Sequence, residues 1–145
     1  MQYPEHLIVP MREDLTKHGV QEARTAAEVD RLLAPGSGTV LMIVNSVCGC
    51  AAGKARPGVG MALQNAIKPD TTATVFAGGD IEAVNRVREI LKDYPASSPS
   101  MALFQDGKPV YMLHRFQIEQ SDPLTISKHL TAAFDQFCQP QTANR

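Results

Sequence analysis

The sequence predicts one α/β domain with a mixed β-sheet flanked by helices, and three features predict it. The apolar, β-branched run Val40-Leu41-Met42-Ile43-Val44 has the continuous character of a strand buried on both faces of a sheet. A second strand-like run, Thr72-Ala73-Thr74-Val75-Phe76-Ala77, follows across a helix-compatible segment, which makes a right-handed crossover with parallel strands. Asp106-Gly107 then separates two further apolar runs, over 101–105 and 108–113, as the positive-φ turn of a β-hairpin.

The remaining elements follow in order. Leu7, Ile8, Val9, Met11 and Leu15 around Pro10 predict an opening helix that Gly19 ends. Thr25-Ala26-Ala27-Glu28 is a capping box, and Val29, Leu32 and Leu33 line one face of a helix over 26–33. Pro35-Gly36-Ser37-Gly38 breaks it before the first strand. Beyond that strand, residues 51–56 suit a helix, Pro57-Gly58 must kink or interrupt it, and the helical pattern resumes from Met61 to Ile67. Gly78-Gly79-Asp80 supplies a turn and an N-cap for a helix carrying Ile81, Val84, Val87, Ile90 and Leu91. A loop rich in Pro and Ser, residues 94–100, leads into the hairpin, where Pro109 suits an edge strand. Asp122 with Pro123 at the first helical position opens the last helix, with Leu124, Ile126, Leu130, Ala133, Phe134 and Phe137 towards the core. Residues 1–139 are expected to form the single domain and 140–145 a loose polar tail.

Composition narrows the function. A chain of 145 residues is one domain by the usual prior of ~100–200 residues each. A net charge of −1, from 14 basic and 15 acidic residues, gives no attraction to nucleic acid or anionic membrane. The first residues lack the basic and apolar regions of a signal peptide, and no apolar run approaches the ~18 residues of a membrane span. A cytoplasmic protein without nucleic-acid or membrane partners is expected. Three cysteines are too few for a disulfide framework, which leaves catalytic or metal-binding thiols.

Two of the three lie in Asn45-Ser46-Val47-Cys48-Gly49-Cys50-Ala51-Ala52-Gly53, where a buried strand hands over to a helix. A helix start leaves backbone N–H groups unpaired and stabilises a thiolate, the reactive form of cysteine. In a regular helix, residues i and i+2 point to nearly opposite sides. A Cys48–Cys50 bridge therefore needs a non-helical turn bringing the Cβ atoms to ~3.8 Å, which Gly49 can supply. Cys50 otherwise serves only as a helix-start residue. Asn45, Ser46 and Arg56 are candidates to tune the thiolate and equally suit a turn. A structural zinc site needs four ligands, usually with wider cysteine spacing, and would have to recruit Cys138 and a histidine. No metal and no tightly bound cofactor are expected. Cys138 reads as a packed free thiol, and His114 and His129 as surface or packing residues.

The element order, with a cysteine pair at the first strand-to-helix junction and a Ser-Pro loop before the hairpin, resembles the thioredoxin fold. It implies a βαβ unit, a hairpin and a C-terminal helix making a four-stranded mixed sheet, preceded by an N-terminal helical extension. The nonamer 45–53 with Ala55-Arg56-Pro57, then Thr74-Val75-Phe76-Ala77-Gly78, Ser97-Ser98-Pro99-Ser100-Met101-Ala102-Leu103 and Leu130-Thr131-Ala132-Ala133-Phe134-Asp135, resembles the bacilliredoxin family. These are thioredoxin-like proteins with a Cys-Gly-Cys site, also described as weak disulfide isomerases. The resemblance implies removal of bacillithiol, or a similar low-molecular-weight thiol serving as co-substrate, from mixed disulfides on S-thiolated client proteins. It implies Cys48 as the attacking thiol and Cys50 as a possible resolving thiol. It also implies Pro99 as a cis-proline, with Ser98 and Gly49 bordering the substrate. A disulfide isomerase of the same fold, a metal-binding module on Cys48 and Cys50, and a redox sensor without turnover are the competing readings. The visible departure from the family is the tail after Cys138.

Overall fold

The computed structural model describes residues 2–139; Met1 and the tail over 140–145 lie outside the described residues. The chain opens with helix α1 (Glu5–Thr16), strand β1 (Gln21–Glu22), helix α2 (Ala26–Leu32) and strand β2 (Thr39–Asn45). A π-helical turn (Ala51–Ala55) leads into α3 (Arg56–Ala62), followed by β3 (Thr71–Phe76) and α4 (Ile81–Ile90). The hairpin strands β4 (Ser100–Gln105) and β5 (Lys108–Leu113), a short α5 (Arg115–Glu119) and the long α6 (Pro123–Phe137) complete it.

Strand β2 is central because it buries both faces, as its apolar run predicts. It pairs in parallel with β3 and antiparallel with β4, giving a five-stranded sheet in the order β1-β3-β2-β4-β5. Its side chains alternate: Leu41 and Ile43 enter one core with Val59 of α3 and Ile126, Leu130 and Phe134 of α6. Val40, Met42 and Val44 enter the other, against Val29 of α2 and Val84 and Val87 of α4. Helices α3 and α6 approach where Gly58 leaves room; a Cβ there would lie 2.6 Å from Ile126 Cγ2. In the hairpin turn, Asp106 and Gly107 both take positive φ, +51° and +84°. Pro109 sits on the edge strand β5, beside a register slip between Leu103 and Phe104.

Several details differ from the sequence expectation, each for a local reason. The expected four-stranded sheet gains a fifth member, β1, whose two residues pair with Ala73 and Thr74. So short a strand leaves no periodicity to read. The helix expected to resume as far as Ile67 ends at Ala62, and the interruption around Pro57 is the π-helical turn. There Arg56 N–H bonds Ala51 O, one residue further back than in an α-helix, and Pro57, which has no N–H, sits in the first turn of the regular α3. The turn of α5 was not anticipated. Leu124 is 53 % exposed, because it lies two positions before Ile126 and so off the stripe that Ile126, Leu130 and Phe134 define. Asp80 occupies the N-cap position of α4 but makes no capping bond.

The Asp80 carboxylate is engaged elsewhere. Arg12, 4 % exposed, holds it through both arms of the guanidinium, at 2.8 and 2.9 Å, and also bonds Glu5 at 2.8 Å and Glu22 at 2.9 Å. The same guanidinium lies 5.3 Å from the Phe76 ring centre. Asp80 also accepts from Phe76 N–H at 3.0 Å and Arg24 Nε at 3.3 Å. Burial pushes the Asp80 carboxyl up, but Arg12, the Phe76 N–H and Arg24 outweigh it and hold it below the usual carboxylate range. This cluster fastens α1 to the turn after β3, where Tyr3 N–H also bonds Gly78 O at 2.7 Å.

Asp80→Asn should leave the buried Arg12 guanidinium only the more exposed carboxylates of Glu5 and Glu22 and cost about 2 kcal/mol in urea unfolding. Because folding lowers the Asp80 pKa, its contribution is complete above the unfolded value of ~3.9 and is lost as pH falls through the folded value. Wild-type stability should therefore fall more steeply than that of Asp80→Asn below pH ~4. Equal steepness would exclude Asp80 from the acid response.

Candidate active site

One edge of the sheet collects the site. Asn45 pairs with Phe76, so the loops after parallel strands β2 and β3 leave side by side. Strand β4 starts at the same edge, with Val44 opposite Ser100, and β5 ends there, with Met101 opposite Leu113. The cysteine loop, residues 77–80, the loop before β4 and the chain just past β5 therefore converge. The Ser98–Pro99 bond is cis, and Pro99 is buried. A cleft of about 340 Å³ is walled by Ser46 and Cys48, Tyr3 and Gly78, and Ser98 and Arg115.

Cys48 lies just before the first helical residue, Gly49. Its carbonyl accepts from Ala51 N–H at 3.0 Å and Ala52 N–H at 3.2 Å. Its Sγ accepts from Cys50 N–H at 3.2 Å, the position a serine or aspartate oxygen takes at a helix start. Cys48 thus stands outside the helix and Cys50 in its first turn, so the pair is not i and i+2 of one regular helix. Burial pushes the Cys48 thiol up, but the Cys50 thiol, the N–H groups of Cys50 and Ala51, and the charge of Arg115 outweigh it and bring Cys48 below the ordinary cysteine value. Cys50 moves the other way, raised by its hydrogen bond to Cys48, by burial, and by the charges of Cys48 and Glu119. Cys48 therefore gives up its proton first. Both thiols are free and partly exposed, and a Cβ on exposed Gly49 between them would have no atom within 4 Å.

Beneath this loop, Asn45, Ser46 and Arg56 form one network. Asn45 Oδ1 accepts from Ser46 N–H at 2.9 Å and Arg56 Nη1 at 3.3 Å, while its Nδ2 donates to Met11 O at 3.1 Å. Arg56, 4 % exposed, also donates to Ser46 O at 3.3 Å and lies 3.3 Å from Asp14 Oδ2 through Nε. Ser46 Oγ in turn accepts from Cys48 N–H at 3.3 Å. Burial lowers the Arg56 pKa, against the opposing pull of Asp14 and Cys48.

Sequence reasoning passed over Arg115. Its Nη1 donates to Ser98 O at 3.0 Å and its backbone N–H to Ser97 Oγ at 3.3 Å, so it straps the cis-proline loop. The hairpin register carried the signal, since the chain just past β5 must come out beside the start of β4. Tyr3 and Asp14 were missed too, because the path of α1 across the sheet edge leaves no trace in local pattern.

Cys138 stands apart. It packs into the core near Thr39 at the start of β2, about 20 Å along that strand from the cysteine loop at ~3.3 Å per residue, and burial pushes its thiol up. A zinc site on Cys48 and Cys50 that recruits Cys138 is not assembled, and among the described residues no group of three or more His, Cys, Asp or Glu side chains is placed to hold a metal ion. His114 stacks on Phe116 with ring centres 5.9 Å apart, and His129 is exposed.

A family model described as disulphide isomerase matches residues 3–138. A bacilliredoxin of Koribacter versatilis is 49 % identical over 136 residues, 94 % of each chain. One of Salinibacter ruber is 47 % identical over 140 residues, 95 % of this chain and 82 % of its own. One of Bacillus licheniformis is 44 % identical over 138 residues, 94 % and 96 % of the two chains. Among solved structures, a thioredoxin of Malassezia sympodialis superposes with a TM-score of 0.57 at 15 % identity, covering 81 % of this chain and 90 % of its own. Thioredoxin O2 of Arabidopsis thaliana, in the oxidised state, gives 0.54 at 16 % identity, with 86 % and 99 % covered. These two share the fold alone. No helix among the described residues is long and apolar enough to cross a membrane. Related over nearly its whole length to proteins of that name, and folded as thioredoxins are, the chain belongs to the bacilliredoxin family and is a thiol–disulfide oxidoreductase.

Proposed function

We propose that this protein removes a small thiol, bacillithiol or a similar molecule, from mixed disulfides on oxidised client proteins in the cytoplasm, with Cys48 as the attacking sulfur. The observation that carries this reading is that Cys48 is the more acidic of two adjacent thiols and opens onto a cleft. The Cys48 thiolate attacks the sulfur of the small thiol. The disulfide to the client breaks, its electron pair leaves on the client sulfur, which takes up a proton, and a new disulfide joins the small thiol to Cys48. Ser98 borders the cleft and Pro99 next to it has no N–H, while Gly49, exposed between the two thiols and outside the cleft wall, adds no side chain beside them.

Cys50 then acts as resolving thiol. Held against Cys48, it loses its proton, attacks the Cys48 sulfur and releases the small thiol, leaving a Cys48–Cys50 bridge for an external thiol to reduce. A second small-thiol molecule can instead clear Cys48 directly. Electrons move only between sulfurs, so the cycle needs no resident cofactor. The family model's description favours a second reading, in which Cys48 attacks a client's own disulfide and isomerises it.

Cys50→Ser protein incubated with a bacillithiolated client should gain one bacillithiol on Cys48 and release reduced client, as mass spectrometry reads, while Cys48→Ser should gain none. An adduct on Cys138 alone would overturn the assignment, and activity confined to scrambled protein disulfides would favour isomerisation. In wild-type protein, the rate of Cys48 alkylation should rise with pH with its midpoint below that of an ordinary cysteine, with Cys50 labelled only at higher pH. The reverse order, by peptide mapping, would exclude Cys48 as the first nucleophile.

A further inference from the structure

We propose that Arg115 is the specificity-determining residue of the Cys48 cleft, its guanidinium binding a carboxylate of the small thiol that Cys48 takes on. The inference rests on Cys48 as the attacking sulfur and names the residue that reads the small thiol.

Among the described residues, Arg115 is the one charged side chain in the wall of this cleft, and no carboxylate lines it. The guanidinium is positioned by Ser98 O at 3.0 Å yet remains 42 % exposed, so it is both held and available. Glu119, 3.7 Å from Arg115 Nε, borders a neighbouring apolar groove with Pro95, His114 and Phe116, on the other side of the arginine. The volume of about 340 Å³ is in the range of small-molecule sites.

The reaction itself creates the need for an anion. While Cys48 is a thiolate, its charge balances that of Arg115 across the cleft. Once Cys48 attacks, the electron pair leaves on the client sulfur, and Cys48 becomes half of a neutral disulfide. Arg115 then has no counter-charge in the cleft wall, its ion pair with Glu119 at 3.7 Å lying outside it. A carboxylate on the newly attached small thiol restores the balance, and a guanidinium can meet it with two parallel N–H bonds.

The test uses 3-mercaptopropionate and its uncharged, nearly isosteric amide, each linked as a mixed disulfide to the same neutral cysteine peptide. Release of the peptide thiol is followed for wild-type, Arg115→Gln and Arg115→Lys protein. The ratio of kcat/KM for the acid over the amide should fall about tenfold in Arg115→Gln and recover in part in Arg115→Lys. A change in Cys48 ionisation or in the Ser98 loop lowers both rates alike and leaves the ratio unmoved, so an unchanged ratio would overturn the proposal. A further arm places the amide on a peptide with glutamate beside its cysteine. Loss confined to that arm would show that Arg115 reads the client, which also overturns the proposal. Wild-type protein inert towards both small-thiol adducts would overturn the reading of Cys48 itself, and this inference with it.

Discussion

The structure depends on one constraint: a strand buried on both faces has to deliver its next residues to the surface at a single edge, and β2 delivers the cysteines. Its two neighbours converge on the same place. Parallel pairing with β3 brings Gly78 there, and antiparallel pairing with β4 brings Ser98 and, through the hairpin, Arg115. The active edge is therefore a consequence of sheet order. The cores on either side of β2 hold it in place, and the salt-bridged Arg12 holds α1 against the remaining wall.

The chemistry of the pair comes from asymmetry. Two cysteines one residue apart begin as equals, and their position at a helix start separates them. Cys48, ahead of the turn, receives N–H donors, while Cys50, one step inside, supplies one of them. Short hydrogen bonds do more here than distant charge. Arg115 acts on Cys48 across an open cleft, where water screens it, whereas the Cys50 N–H meets the sulfur directly. The buried Arg56 acts from below, chiefly as a brace, since its donors go to Asn45 and Ser46.

Much of this was legible in the residues. The run Val40 to Val44 announced a doubly buried strand, Asp106-Gly107 a tight hairpin, and Asp122-Pro123 a capped helix, because each depends on local backbone preference or on burial periodicity. The cysteine pair announced its place at the strand-to-helix junction for the same reason. What stayed hidden depends on distant pairing. β1 exists only because β3 offers it an edge, Asp80 abandons its capping role only because Arg12 arrives from another helix, and Arg115 joins the site only through hairpin register. The π-helical turn is an intermediate case: Pro57 signalled an interruption, but its form depends on how the turn settles behind the cysteines.

The burial of Cys138 at the opposite end of β2 limits the internal covalent states of the molecule. Disulfide closure tolerates Cα separations of only ~4.4–6.8 Å, so the third sulfur is out of range of the other two while the fold is intact. Of the three pairings that arithmetic permits among three cysteines, only the one within the Cys-Gly-Cys loop is then open to the folded chain. An oxidised population is internally homogeneous by construction, and a scrambled internal bridge becomes a marker of molecules that have first come apart.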